Sequence, residues 1–448
     1  MAVLRTLRGA GKQAWLAGGS VRDLLRGVQA QDFDVATDAL PEQVPKLFPR
    51  VIPTGMQHGT VTVLSGEHKI EVTTFRGEGP YLDGRRPSSV TFLGDIDGDL
   101  ARRDFTVNAI AWDPLSGAIR DPFSGREDLQ RCRLRAVGDP LARFREDGLR
   151  PLRAVRLATT LRLALEPGTR RAISQSLDVF AKVAIERVRE EFIKLLVRGE
   201  PPSRGLRLLL RTGLLERIIP ELLESVGFPQ NRFHRWDVWR HTLLSVDAAP
   251  KDLVVRLAAL LHDVAKPRSA APKEGSPGEN TFYDHEKLGA RLAADILQRL
   301  RFPRREVERV ALLVAEHNWY YQPEWNDATV RRVLARVGPE ELPSLWALRR
   351  ADLKARGRFV EEGLANQDEA EARFQREIDR AAVLKISDLA IGGEDVKREL
   401  QLAPGPQVGQ VLARLLDRVI DDPNLNSRDA LLRLLPEVAR ELSTNNPQ

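Results

Sequence analysis

The stretch LAGGSVRDLLRG (16–27), followed by DFDVATDA (32–39), decides how this chain is read. A short apolar run ends in Gly18-Gly19 and feeds a helical segment from Ser20, so the first backbone amides of that helix lack partners within it. Free amides and the positive helix end favour a phosphate, and Arg22 in the first turn adds a cationic fork. Two glycines alone read more simply as turn chemistry; the strand that follows shifts the balance. Residues two apart on a strand share a face, so Asp32 and Asp34 present adjacent carboxylates. Such a pair repels unless a proton or a cation lies between, and magnesium is the ion that takes one or two carboxylates together with substrate phosphates. Glu71, in IEVTTF (70–75), alternates with Ile70 and Val72 and joins this acidic face if its strand lies beside the first. Asp32, Asp34 and Glu71 then form a catalytic set for two-metal phosphoryl transfer, with Asp32 and Asp34 as ligands of Mg2+ and Gly18, Gly19 and Arg22 as the nucleotide cradle.

Around this stretch the pattern is α/β. From Ala14 to about Asp121 it alternates strand and helix signals, with TVTVLSGEHKIEVTTF (60–75) as a hairpin turning at Ser-Gly-Glu-His and a helix expected after Pro41. Beyond Asp139 apolar residues recur at three and four spacing to the end, so the rest reads as helical. GEGPYLDGRRPSS (77–89) and PKEGSPGEN (272–280) have loop composition. A length of 448 residues predicts two to four domains. The charge is +6, from 69 Lys+Arg against 63 acids, and nine arginines but three acids lie between Arg131 and Arg162. That cluster points to a polyanionic partner, although an Arg-rich genome would also produce it. A single cysteine, Cys132, excludes an intrachain disulfide and a Cys zinc cluster. No apolar run is long enough to span a membrane and no signal peptide is evident, so a cytoplasmic protein without a membrane partner is expected.

A second constellation lies in the helical part. RHTLLSVDAA (His241), LLHDVAKP (His262, Asp263), YDHEKLGA (His285), AEHNW (His317) and RRADLKA (Asp352) run in the order H, HD, H, H, D, with His234 nearby. Imidazoles and carboxylates on neighbouring helices can converge on a divalent ion, with imidazole suiting Mn2+ or Ni2+. The series resembles an HD-type phosphohydrolase domain, and a degenerate HD fold that keeps its helices without activity is the alternative. Lys266 reads either as a phosphate holder or as a helix end.

The opening stretch, together with TGMQHGTVTV (54–63), EVTTFRGEGPYLDGRRPSSVTF (71–92), DLARRDFTVNAIA (99–111) and DPFSGREDLQRCRLRAVGDPLARFREDGLRPLRAVRLA (121–158), resembles the class II tRNA nucleotidyltransferases, the bacterial CCA-adding group of the DNA polymerase beta superfamily. The resemblance implies an α+β fold: a polymerase-beta-like head with a mixed sheet (1–137), an all-helical neck (138–225), an HD body (226–360) and a helical tail on tRNA (361–448). It implies template-independent addition of C and A to tRNA 3' ends from CTP and ATP. By the same resemblance Asp147 and Arg150 read the base edge, Arg103, Arg153 and Arg156 contact the nucleotide, and Asp104 supports the sugar region or the fold. GPYLDGRRPSSV (79–90) resembles the flexible loop that CC-only enzymes lack. The sequence departs from the family pattern at Gly148 and Pro151, and because proline suits a first turn, a helix is expected to start near Gly148. Glu146, Asp147 and Arg150 are spaced to share one helical face. The tail, ISDLAIGGEDVKRELQLAPGPQVGQVLARLLDRV (386–419), reads as a grip on tRNA phosphates or as a helical cap. An enzyme adding only A is the nearest rival, a poly(A) polymerase a weaker one, and an RNA-binding protein with HD phosphohydrolase activity alone is the rival of another class.

Overall fold

Strand β1 (Ala14–Ala17) is buried along its whole length because its alternating side chains serve two cores. Ala14 and Leu16 join Val3, Leu4 and Leu7 of helix α1 (Ala2–Gly9), while Trp15 and Ala17 join Phe75, Leu100 and Val137 on the other face. The computed structural model that displays this arrangement describes residues 1–448 except 31, 54, 79–89, 276–278, 320, 381–382 and 445–448. Helix α2 (Gly19–Leu25) links β1 to β2 (Phe33–Thr37), followed by β3 (Val51–Ile52), β4 (Thr60–Ser65) and β5 (His68–Thr74). Strands β6 (Arg76–Glu78) and β7 (Val90–Phe92) pair as an antiparallel ribbon, so the proposed flexible loop, 79–90, falls almost wholly outside the described residues. Helix α3 (Ile96–Ala101) and strands β8 (Ala111–Trp112) and β9 (Ile119–Arg120) complete the layer.

The main sheet runs β3-β4-β5-β2-β1-β8-β9, with β2 and β5 parallel and the other pairs antiparallel, which is the mixed sheet expected of the head. The expected hairpin is β4–β5, in which Ser65 faces His68 across Gly66-Glu67. Three short features depart from the sequence reading. The helix after Pro41 is a single 3-10 turn, Val44–Lys46, with a proline in its first residues. Beyond the last expected strand, β10 (Arg133–Leu134) pairs in parallel with β11 (Ala164–Leu165), and β12 (Ala271–Pro272) pairs antiparallel with β13 (Asn280–Thr281), closing the ends of the loop-like PKEGSPGEN stretch. Two-residue strands carry no readable period, which is why they escape a pattern search.

The chain divides into two compact units, residues 1–224 with 299–302, and residues 225–298 with 303–448. In the first, α4 (Pro140–Glu146) is capped by the Asp139 carboxylate on Ala142 N at 2.7 Å, and α5 (Arg150–Thr160) packs on α6 (Ile185–Arg198) and reaches the head through Arg150, which donates to Arg102 O, and Arg153, which donates to Asp104. The second unit is helical. Its α7 (Val238–Ala248) and α8 (Leu253–Leu261) start on carboxylate caps, Asp237 and Asp252. They are followed by α9 (His285–Arg299), α10 (Arg304–Glu316), α11 (Leu342–Arg356) and α12 (Val360–Asp379). The last helices, α13 (Gly393–Leu400), α14 (Pro406–Asp421) and α15 (Arg428–Thr444), close on a core of their own that includes Val396, Leu415, Leu431 and Val438. No helix among the described residues is long and apolar enough to cross a membrane.

Candidate active sites

The β2–β5 register sets Asp34 opposite Glu71, and because Val35 and Val72 beside them enter one core, both acids point to the other face. Asp32 lies one residue ahead of the strand, in a bend, and still acts on Asp34 electrostatically. Burial raises the Asp34 carboxyl above the ordinary carboxylate value, Glu71 and Asp32 push the same way, and Arg103 opposes them. This is a cluster that gains from a cation. The turn that approaches it is shaped by Gly18, whose φ of +83° suits glycine and whose added Cβ would stand 2.5 Å from Arg103 Nη1 and 3.6 Å from Asp34 Oδ2. Arg103 is aimed there by donating Nη1 to Asn108 O (3.2 Å) and Nη2 to the buried Asp99 (3.3 Å). The Arg22 guanidinium lies against Gly19 and is committed to Asp23, twice at 2.9 Å, and to Asn108 Oδ1 at 2.7 Å.

The neck residues are brought together differently from the expected single face. Asp147 is extended (φ −133°, ψ 109°) and breaks the chain between α4 and α5, so Glu146 and Arg150 lie on different helices. The break is fixed by Gly148, where a Cβ would meet Val179 O at 2.6 Å. Helix α5 begins two residues beyond Gly148 with Pro151 in its first turn, as the proline requires. Across the break, the buried Arg150 donates to Glu146 (2.5 Å), Arg143 O (2.9 Å) and Arg102 O (3.2 Å), while Asp147 takes Arg187 at 2.9 Å. Arg153 donates Nε and Nη2 to Asp104 Oδ2 at 2.9 and 2.6 Å, and Arg156 pairs with the buried Glu191 at 2.7 Å. Although burial works against ionisation of Asp104, Arg153, Arg150 and the Asn108 amide hold its carboxyl below the usual range. Asn108 thus bridges Arg22 and Asp104, at 2.7 and 3.1 Å.

In the second unit four of the six expected ligands, His241, His262, His285 and His317, converge on a fifth, Asp263. Its Oδ2 is 3.2 Å from His262 Nε2 and 3.6 Å from His241 Nε2, and its Oδ1 is 3.6 Å from His285 Nε2 and 3.7 Å from His317 Nε2. His241 Nε2 also lies 3.0 Å from Asp352 Oδ1 and 3.2 Å from His262 Nε2. All six are buried. Nδ1 of His262, His285 and His317 lies 2.9, 2.7 and 2.6 Å from the carbonyls of Ala259, Phe282 and Val314, so that nitrogen carries the proton and Nε2 offers its lone pair inward. Burial holds His241 and His285 below the imidazole norm and His317 down at about 4; for His262 the pull of Asp263 outweighs burial and raises it. Asp352 Oδ2 is held by Arg349 (3.0 Å) and Arg356 (2.9 Å), leaving Oδ1 for the centre. Ligands about 2.1 Å from one ion stand roughly 3.0–3.5 Å apart, so the spacing and the inward lone pairs fit divalent metal. The groups His241–His262–Asp263 and Asp263–His285–His317 each meet a metal-ligand geometry, and His234 forms a third with His241 and Asp352. Lys266 Nζ is 2.7 Å from Asp263 Oδ2 and 2.7 Å from Gln230 Oε1, so here it neutralises a buried carboxylate.

Comparison with known proteins finds a family model spanning each constellation. Residues 14–135 match the Poly A polymerase head domain, 162–225 the probable RNA and SrmB-binding site of polymerase A, and 234–380 the HD domain. The CCA-adding enzyme of Lactobacillus delbrueckii subsp. bulgaricus is 34% identical over 439 residues, covering 97% of this chain and 96% of that protein. The chain belongs to the CCA-adding enzyme family. Relatives from Lactobacillus helveticus and Levilactobacillus brevis are 49% and 46% identical, and the chain spans about half their length, 54% and 53%. The crystal structure of the Bacillus stearothermophilus CCA-adding enzyme in complex with CTP superposes with a TM-score of 0.74 at 30% identity, covering 99% of this chain and 98% of that one.

In this member of the CCA-adding family, several residues around the sites escaped the sequence reading. Asp99 and Asn108 lie within the quoted DLARRDFTVNAIA motif but carry no distinctive spacing. Arg187 and Glu191 lie 40 and 35 residues from the groups they hold. Arg349 and Arg356 had a findable signal, at three and four residues from Asp352 on one helix.

Proposed function

We propose that this chain adds C and A to the 3' end of tRNA, using CTP, ATP and Mg2+. The observation that carries the reading is the Asp34–Glu71 register beside the Gly18 turn, with Arg103 between the turn and Asp99. Asp32 and Asp34 hold the ions and Glu71 completes the acidic face. When bound, the ions lower the pKa of the attacking hydroxyl and spread the triphosphate charge. Gly18 lets backbone approach the phosphates, and Arg103 and Arg22 set their position, each fixed by Asn108. Asp147 accepts from the exocyclic amine that cytosine and adenine share, and Arg150 donates to a ring acceptor, so G and U are rejected. Arg153 and Arg156 stand on Asp104 and Glu191 as supports of the nucleotide face. We assign 1–137 as head, 138–225 as neck, 226–360 as HD body and 361–448 as a tail for tRNA. The test is extension of tRNA lacking the whole terminal triplet and of tRNA lacking only its last A; completion of both from CTP and ATP is expected, and completion of the second alone identifies an A-adding enzyme.

The His/Asp centre favours a second activity, metal-dependent phosphohydrolysis, with Mn2+ or Ni2+ held by His241, His262, Asp263, His285, His317 and Asp352. Hydrolysis of bis-nitrophenyl phosphate that needs added metal and is lost in His262→Ala tests it; no hydrolysis with any divalent ion overturns it.

A further inference from the structure

The helix Asp327–Val337 is opened by the Asn326 side chain, which accepts from Thr329 N at 2.8 Å, and it buries Val330, Val333, Leu334 and Val337 at helical spacing. Arg331 falls beside that stripe, so the fold carries a guanidinium inside, 7% exposed. A charge so placed is costly unless its donors are answered. Arg331 donates Nη1 to the buried Glu377 at 2.8 Å, Nε to Ile420 O at 2.7 Å and Nη2 to Asp421 O at 3.0 Å.

These acceptors belong to two other helices. Glu377 lies near the end of α12, and Ile420 and Asp421 are the last two residues of α14. A helix cannot pair its last carbonyls internally, and its dipole is negative there, so a guanidinium is a fitting cap. The core that closes the last three helices takes in no residue before Val383, so it holds the tail together and leaves its attachment to contacts such as this one. Arg332 with Asp421 at 2.5 Å and Lys385 with Glu340 at 3.6 Å add surface pairs, which water weakens.

We propose that Arg331 is a positioning residue for tRNA: it fixes the tail on the HD body, and through the tail it sets the affinity for tRNA without touching RNA or nucleotide. The inference rests on the reading of the tail as a grip on tRNA. An RNA held at its 3' end by one part of a chain and farther along by another is bound at an effective concentration that falls when the second part can swing. Affinity for a whole tRNA then depends on the attachment, and addition to a short RNA does not. A lysine cannot replace the residue, because one ammonium lacks the planar fork that meets three acceptors. Glu377 keeps Arg380 at 2.6 Å when Arg331 is replaced, so no carboxylate is stranded in the variants.

The test is steady-state extension by the full-length protein of two RNAs that lack the terminal triplet: a whole tRNA, and a hairpin of the acceptor stem alone, without the part a tail would grip. Arg331→Lys keeps the charge and loses the fork, Arg331→Met loses both, and Arg332→Ala removes only the surface pair. A KM for tRNA raised roughly tenfold in Arg331→Met and several-fold in Arg331→Lys is expected. In both, kcat, the KM for CTP and extension of the hairpin stay within about twofold of wild type, and Arg332→Ala behaves as wild type throughout. A tRNA KM unchanged in both Arg331 variants, while wild type takes tRNA at a lower KM than the hairpin, overturns the proposal. So does hairpin extension that falls in step with tRNA extension, because Arg331 then serves the fold at large. Equal KM for the two RNAs in wild type removes the tail reading itself, and the proposal with it.

Discussion

Asp34 and Asp104 are both acids in buried surroundings, and their neighbours send them in opposite directions. Asp34 is raised by burial and by Glu71. Its proton therefore persists above the ordinary carboxylate value of about 3.9, and a divalent ion must displace it. The Mg2+ concentration needed for half-maximal nucleotide addition is expected to rise as the pH is lowered towards the raised value of Asp34, measured as apparent Mg2+ KM. The same shift costs the metal-free fold stability as pH rises through the raised pKa, so Asp34→Asn should melt higher than wild type in EDTA while losing roughly 10³-fold in nucleotide addition. Asp104 is depressed instead, so it contributes stability above the unfolded value of about 3.9 that is lost as pH falls through the lower folded one. Asp104→Asn should lower the unfolding free energy by about 2 kcal/mol at pH 7, below the roughly 3–5 kcal/mol of a fully buried pair because the Arg153 side chain is about a third exposed, and should lose less on acidification than wild type. Which acid would go which way was not legible from spacing. Asp-x-Asp announces repulsion by itself, but Asp104 owes its state to Arg153, 49 residues away.

At the scale of elements, the break between α4 and α5 is the clearest case of local backbone dictating a site. The spacing of Glu146, Asp147 and Arg150 suits one helix, and a pattern search sees only the spacing. The structure ends one helix and starts another between them because Gly148 lies against the Val179 carbonyl, an approach visible only in three dimensions. Gly148→Ala forces that contact apart and is expected to lower stability by about 1–3 kcal/mol in urea unfolding, with a larger fractional loss in discrimination of CTP and ATP from GTP and UTP than in overall turnover. The β4–β5 hairpin and β1 were readable because alternation and a Ser-Gly-Glu-His turn write themselves into sequence. The 3-10 turn after Pro41 and strands β10–β13 were not, being too short to hold a period.

Across the whole molecule, the two clusters of candidate site residues stand in separate compact units, each legible for its own reason. The head was readable because several motifs agree in order, and the HD ligands because histidine is scarce: five of the chain's seven lie in this region, against 69 Lys+Arg among which Arg349 and Arg356 go unnoticed. Metal analysis of purified protein should find bound transition metal in wild type, and Asp263→Ala should remove it from the whole centre, whereas His285→Ala should leave ions on the His241–His262–Asp352 side.

That asymmetry follows from where Asp263 sits. One oxygen serves the imidazoles of α7 and α8 and the other those of α9 and α10, so a single side chain is the keystone of both halves. One codon change there offers geneticists a way to probe the rear of the polypeptide apart from the nucleotide addition proposed for its front.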